Sequence, residues 1–139
     1  MDLMLGTFTP KLDEKSRLII PARFRNQLKA GLVITRGQER CLYILPSKQF
    51  AKMYRKISTS SVPNKRAFSR LFTADAISDE VDKQGRVVVP ENLREYANLT
   101  RDLVVIGAGK RIEVWDTEAW ESYQKANVDL YSNMSEEIF

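Results

Sequence analysis

The stretch DEKSRLIIPARFR, residues 13–25, decides the fold because it is written twice. DKQGRVVVPENLR, residues 82–94, repeats its skeleton: Asp, three residues, Arg, three apolar residues, Pro, two residues, an apolar residue, Arg. Asp13 maps to Asp82, Arg17 to Arg86, Pro21 to Pro90, Phe24 to Leu93 and Arg25 to Arg94, at a constant offset of 69. The likeness continues at an offset of 70. GLVITRGQERCLYILPSKQF (31–50) aligns with RDLVVIGAGKRIEVWDTEAW (101–120), so Gly37 meets Gly107, Leu42 meets Ile112, Ile44 meets Val114 and Phe50 meets Trp120. The one-residue change of offset falls between the phrases, where loops tolerate it. The chain is therefore an internal duplication of two like units.

Each unit has the same grammar. An extended segment, TFTPKLD or AISDEVD, enters the Asp-x-x-x-Arg phrase. RLIIP and RVVVP are short β-branched runs that favour strands. With three consecutive apolar residues, LII and VVV are expected to be buried on both faces, inside a sheet or barrel. Proline then ends the strand and suits the first turn of a short helix, with Phe24 and Leu28 four apart on one face. Two further strands follow in each unit, LVITR and CLYILP around a turn at GQE, LVVIG and RIEVW around AGK. Each unit closes with a helix, for which Ser47 and Thr117 are the expected N-caps. STSSVPN marks a loop between the units. It precedes an added helix over residues 65–74, with Phe68, Leu71 and Phe72 on the expected buried face. The expected boundaries are a first unit at 5–52, a linker with the added helix at 53–75, a second unit at 76–120 and a C-terminal helix or tail at 121–139. That tail carries Val128, Leu130, Tyr131, Met134, Ile138 and Phe139, and reads either as a frayed end or as a surface for a partner.

The 139 residues suffice for one ordinary domain, whereas halves of about 70 would be marginal alone. Two units are thus expected to share a core or to oligomerise. No apolar run approaches the roughly 20 residues of a membrane helix, and MDLMLGTFTP has no signal-peptide pattern, so no membrane partner is expected. The single cysteine, Cys41, lies in an apolar run and reads as a buried thiol in a reducing cytoplasm. Histidine is absent, which removes the commonest general base and the commonest metal ligand. No carboxylate pair, phosphate-cradling loop or nucleophile–base pair stands out, so no enzyme activity, cofactor, metal or small-molecule substrate is expected. GAGKR lacks the spacing and the Ser/Thr of a phosphate loop. The net charge of +4 is divided unequally. Residues 11–66 hold 14 Lys/Arg and 3 Asp/Glu, whereas residues 67–139 hold 8 and 14. A basic first half suggests a polyanion partner, although a merely solvated surface would look the same.

The phrase itself narrows the chemistry. Asp and Arg four residues apart across a turn can pair, and the aspartates can also accept backbone N–H bonds. A guanidinium that holds its Asp still presents donors to phosphate or to a guanine edge. Lys15, Arg17, Arg23 and Arg25 crowd the first copy. The second offers Lys83, Arg86 and Arg94, partly neutralised by Glu91 and Glu95. Gly85 supplies the positive φ of a tight turn in the second copy, where the first has Ser16.

The ordered combination of LGTFTPKLDEKSRLIIPARFR, GLVITRGQERCLYILP, DKQGRVVVPENLRE and GAGKRIEVWDTEAWESY resembles the MraZ family of bacterial regulators over nearly the whole chain. The resemblance implies a mixed α+β, mainly β fold: a tandem, pseudo-symmetric pair of SpoVT-AbrB-type units forming a swapped-hairpin β-barrel with short flanking helices. It implies a ring-like homo-oligomer, cytoplasmic and nucleoid-associated, that binds repeated promoter elements in double-stranded DNA ahead of a division and cell-wall gene cluster. Matched to the family's motif, Arg17 and Arg86 take the place of the DNA-contacting arginines, Asp13 and Asp82 of the loop aspartates, and Lys15 and Lys83 lie in the same loops. The departure is Ser16, where the family's pattern has glycine. The leading expectation is a sequence-specific transcription regulator whose DNA-binding residues are Lys15, Arg17, Arg23, Arg25, Lys83 and Arg86, with Arg17's loop the strongest. Asp13, Asp82 and Gly85 structure the loops. The alternative is an interaction protein whose basic face takes RNA or an acidic protein.

Overall fold

The two copies of the phrase pair with each other. The structure, a computed structural model, describes residues 2–138; Phe139, the last residue of the expected tail, lies outside the described residues. Strands β2 (Arg17–Ile19) and β6 (Arg86–Val88) form a two-stranded antiparallel ribbon in the register Arg17↔Val88, Leu18↔Val87, Ile19↔Arg86. Leu18, Ile20, Val87 and Val89 are buried, but Ile19 is 52% and Val88 50% exposed. The expectation that LII and VVV are buried on both faces is therefore wrong. The ribbon lies on one face of a larger sheet with nothing over it, so only alternate residues reach the core. Three apolar residues in a row here conceal an ordinary period of two.

The remaining strands form one six-stranded antiparallel sheet in the order β1-β7-β8-β4-β3-β5. They are β1 (Met4–Phe8), β3 (Leu32–Arg36), β4 (Leu42–Pro46), β5 (Ile77–Asp79), β7 (Leu103–Gly109) and β8 (Ile112–Asp116). The order is symmetric about the central β4–β8 pair. Each unit's opening strand pairs with the other unit's β3 or β7: β1 on β7, β5 on β3. The units thus exchange strands, and neither can bury its own core alone. These pairings do not close a barrel. β1 and β5 remain the edges of the sheet, and the ribbon pairs only with itself. Past β1 the ladder ends in a single Lys11↔Asp102 bridge, because Pro10 has no N–H to continue it. The Asp-x-x-x-Arg turn then carries the chain off the edge.

The sheet has two dry faces. On one, Leu32, Ile34, Leu42, Ile44, Leu103, Val105, Ile112 and Val114 pack against Leu18, Ile20, Val87 and Val89 of the ribbon, with Phe24, Leu28 and Leu93. The first copy of the expected short helix is only a 3-10 turn, Ala22–Phe24, while the second is a full helix, α3 (Glu91–Tyr96). On the other face, Tyr43, Leu45, Val104 and Trp115 carry α1 (Ser47–Thr59), α2 (Lys65–Ala74) and α4 (Thr117–Ser132). The ribbon with α3 and the layer of α1, α2 and α4 thus lie on opposite sides of the sheet.

The added helix forms where the pattern places it. Phe72 stacks on Phe50, and the Phe72 carbonyl accepts from the buried Thr35 hydroxyl at 2.6 Å. Leu71, expected on the buried face, is 52% exposed. The expected caps fall one residue early. Pro46 precedes α1 without a side-chain bond, and Asp116 caps α4 by accepting from Ala119 N–H, leaving the Thr117 hydroxyl to donate to the Asp102 carbonyl. At the GQE turn the positive φ angles belong to Glu39 (62°) and Arg40 (63°), not to Gly37. Gly37 is extended, and any Cβ there would meet the Tyr43 ring at 2.6 Å. Its glycine is required by close approach and not by the turn.

Candidate nucleic-acid interface

Both Asp-x-x-x-Arg loops fold by the same five hydrogen bonds. Asp13 Oδ1 accepts from the backbone N–H of Lys15 and of Arg17, each at 2.9 Å, and Oδ2 accepts from Arg17 Nε at 2.6 Å. The Asp13 N–H donates to the Arg17 carbonyl and the Ser16 N–H to the Asp13 carbonyl. In the second loop Asp82 Oδ1 accepts from Gln84 N–H (2.9 Å) and Arg86 N–H (2.8 Å), and Oδ2 from Arg86 Nε (3.0 Å). Asp82 N–H and Gly85 N–H repeat the backbone pair. The aspartate thus ties the turn and aims the arginine at once. Each ion pair is made through Nε, and among the described residues the Nη donors of both arginines make no hydrogen bond.

The fourth loop residue takes a left-handed conformation in both copies: Gly85 at φ 83°, Ser16 at φ 58°. Ser16 therefore keeps the glycine turn and accepts its strain, of about 1 kcal/mol. What stands opposite differs in origin but not in kind. Arg25 lies flat on Gly85, so that a Cβ there would come within 2.6 Å of Arg25 Nη2. Arg25 Nε donates to the Ile20 carbonyl at 2.9 Å, and its counterpart Arg94 donates to the Val89 carbonyl at 3.0 Å. Arg25 lines a 420 Å³ cleft with Asp82, Lys83 and Gly85, and Arg94 lines a 430 Å³ cleft with Asp13, Glu14 and Ser16. Arg25 of the first unit thus braces the second unit's loop, and Arg94 of the second shares a cleft with the first unit's loop.

The ribbon brings the two motif arginines onto one surface. Period two puts Arg17 and Ile19 of one strand, Arg86 and Val88 of the other, on the uncovered face, with Arg17 opposite Val88 and Ile19 opposite Arg86. Arg17 and Arg86 are separated by two residues along the ribbon, about 7 Å. Lys15 and Lys83 are exposed in the loops at either end. Arg23 and Arg25 stand elsewhere: Arg23 reaches over the Phe8 ring at 5.5 Å, beside β1, and Arg25 is half-buried in its brace. Ile19 and Val88 were missed as surface residues by reading the apolar triplets as core. Also unforeseen was a clamp between the units. Tyr96 lies between the guanidinium groups of Arg36 (4.9 Å) and Arg40 (5.0 Å), and its hydroxyl donates to the Gly37 carbonyl.

Electrostatically the loops are set for neutral pH. The Asp13 carboxyl is held below the usual carboxylate range chiefly by the Arg17 backbone N–H, and the Asp82 carboxyl likewise by that of Arg86, with each arginine's side chain adding to the effect. Burial pushes the Cys41 thiol far up, so it stays protonated and inert at neutral pH. No described helix is long and apolar enough to cross a membrane.

This geometry agrees with what the chain is similar to. The family model for the MraZ protein matches twice, over residues 3–75 and 71–137, one match for each unit. A protein of Kineococcus radiotolerans named Transcriptional regulator MraZ is 52% identical over 138 residues, covering 98% of this chain and 96% of its own. Proteins of the same name from Leifsonia xyli subsp. xyli and Bifidobacterium longum are each 49% identical over 138 residues, covering 98% of this chain and 96% and 92% of their own. Duplicated units, matched loops and identity along the full length lead to one conclusion: the chain belongs to the MraZ family.

Proposed function

We propose that this chain is a sequence-specific, DNA-binding transcription regulator that works as a homo-oligomer on repeated promoter elements upstream of its own gene cluster, in the cytoplasm and associated with the nucleoid. The observation that carries the reading is the ribbon face, where two arginines, each aimed by its own aspartate through Nε, present free Nη donors beside two exposed apolar side chains. A two-stranded ribbon fits the B-DNA major groove. Arg17 and Arg86 would each reach the O6/N7 edge of a guanine, and Ile19 and Val88 would meet thymine methyl groups. An offset of about 7 Å between the arginines is about two base steps of 3.4 Å. Lys15 and Lys83 would neutralise phosphates and fix the register, while Arg23 and Arg25 stand off the reading face, over Phe8 and against Gly85. The exchange of β1 and β5 between units supports the swapped-hairpin reading of the fold.

Arg17's loop remains the stronger candidate. The two loops are alike in geometry, but Arg17 has Lys15 and Arg23 as neighbours in sequence, whereas Arg86's phrase is flanked by Glu80, Glu91 and Glu95. The relatives described above are named transcriptional regulators, which supports the same reading. The test is a competition assay with the chain's own upstream duplex as probe. Unlabelled upstream duplex should displace the probe far better than a scrambled duplex of equal length. Equal displacement by the scrambled duplex would contradict sequence-specific binding and favour a general polyanion binder.

A further inference from the structure

The helical side of the molecule carries two uncovered apolar surfaces. The first is a 490 Å³ groove at the C-terminal end of α1, walled by Ile57, Val62, Pro63 and Phe68, with Lys56 and Lys65 at its rim. Val62 is 58% exposed there. The second is the distal half of α4. Its proximal half is anchored where Trp120 and Tyr123 pack on Trp115. Helical periodicity carries that same face onward to Tyr131, flanked by Leu130, and Met134 follows two residues past the helix end. Leu130 and Tyr131 are 69% exposed and Met134 44%.

The two surfaces carry opposite charge. Residues 47–74 hold seven Lys/Arg and no Asp/Glu, while residues 126–138 hold Asp129, Glu136 and Glu137 and no Lys/Arg. They also cannot meet within one chain. α1 follows β4 and α4 follows β8, which are antiparallel neighbours, and each helix packs back over its own hairpin on the same face. The C-terminal ends of the two helices therefore point to opposite ends of the sheet.

We propose that the Leu130–Tyr131–Met134 stripe of one copy seats in the α1–α2 groove of a second copy. This rests on the homo-oligomer proposed above and names its surfaces. Acidic residues around the stripe meet the lysines at the groove's rim, which sets the orientation of the contact. Each chain offers one stripe and one groove, so the contact is heterologous, and repeating it gives a closed ring or a filament.

Light scattering on the full-length protein tests this with a complementation scheme. Wild type is expected to have the mass of several chains. Val62→Glu spoils the groove, and the double variant Leu130→Glu/Tyr131→Glu spoils the stripe. All three positions are exposed, so circular dichroism should show the native fold. Each variant alone should have the mass of one chain. An equimolar mixture should have the mass of two chains and no more, because one intact stripe and one intact groove remain. The milder Val62→Ser should raise the half-assembly concentration several-fold without any effect on folding. Either charged variant keeping the wild-type mass, or a mixture that stays at one chain, would overturn the interface and leave DNA regulation standing. A wild type of one chain at every concentration would overturn the interface together with the oligomer. Full assembly without preference for the upstream duplex would support the interface and sink the regulator reading.

Discussion

Ser16 and Gly85 stand at equivalent places in the two loops, yet the same exchange at each should have opposite effects. Ser16→Gly relieves a left-handed serine and is expected to raise stability by about 0.5–1 kcal/mol in urea unfolding. Gly85→Ser imposes that strain and drives a Cβ into the Arg25 guanidinium, so a loss of about 2 kcal/mol is expected. A loss of stability in Ser16→Gly would mean that the serine contributes something the turn geometry does not contain. The aspartates set the pH response. Both carboxyls are lowered in the folded state, so their stabilisation is present above the unfolded value and is lost as pH falls through the folded one. Loop order should hold at neutral pH and fail only below about pH 4, the ordinary carboxylate range. Carboxyl carbon shifts followed by NMR should titrate below that of an aspartate in an unstructured peptide; midpoints at or above that control would contradict the loop geometry.

At the scale of elements, the ribbon is where reading and structure part. The pairing of Asp with Arg, the positive φ of Gly85, the stop at each proline and the helix over 65–74 were all legible, because each depends on neighbours in sequence. The exposure of Ile19 and Val88 was not, because it depends on how many layers cover a strand, and composition does not carry that. The brace from Arg25 was illegible for the same reason, since it acts on Gly85 of the other unit, 60 residues away in the chain. The difference can be measured. Were Ile19 and Val88 buried, threonine at either would destabilise by several kcal/mol through an unsatisfied hydroxyl and lost packing. Exposed as they are, Ile19→Thr and Val88→Thr should each shift stability by no more than about 0.5 kcal/mol. Both should still weaken binding to the upstream duplex several-fold, because the altered side chains lie on the proposed reading face.

For the whole molecule, duplication, strand exchange and charge division act together. Exchange of β1 and β5 locks the units into one body, and the pseudo-symmetric ribbon that results sets the two arginines side by side. The helical layer occupies the opposite side, which leaves it free for the proposed contacts between copies. The duplication was legible from one repeated phrase; the exchange it entails was not, because pairing partners are decided by the tertiary fold. DNA affinity should fall linearly with log salt concentration, and Lys15→Ala should flatten that slope by about 1 without changing sequence preference. A loss of preference in that variant would make Lys15 a base reader. The central claim, that the ribbon arginines read DNA, is tested most directly by fluorescence anisotropy on the upstream duplex at fixed salt, comparing wild type with a natively folded Arg17→Ala variant. The expected result is a Kd weakened by roughly 5- to 150-fold, corresponding to about 1–3 kcal/mol for a bidentate base contact. An Arg17→Ala variant that binds with the wild-type Kd would contradict it.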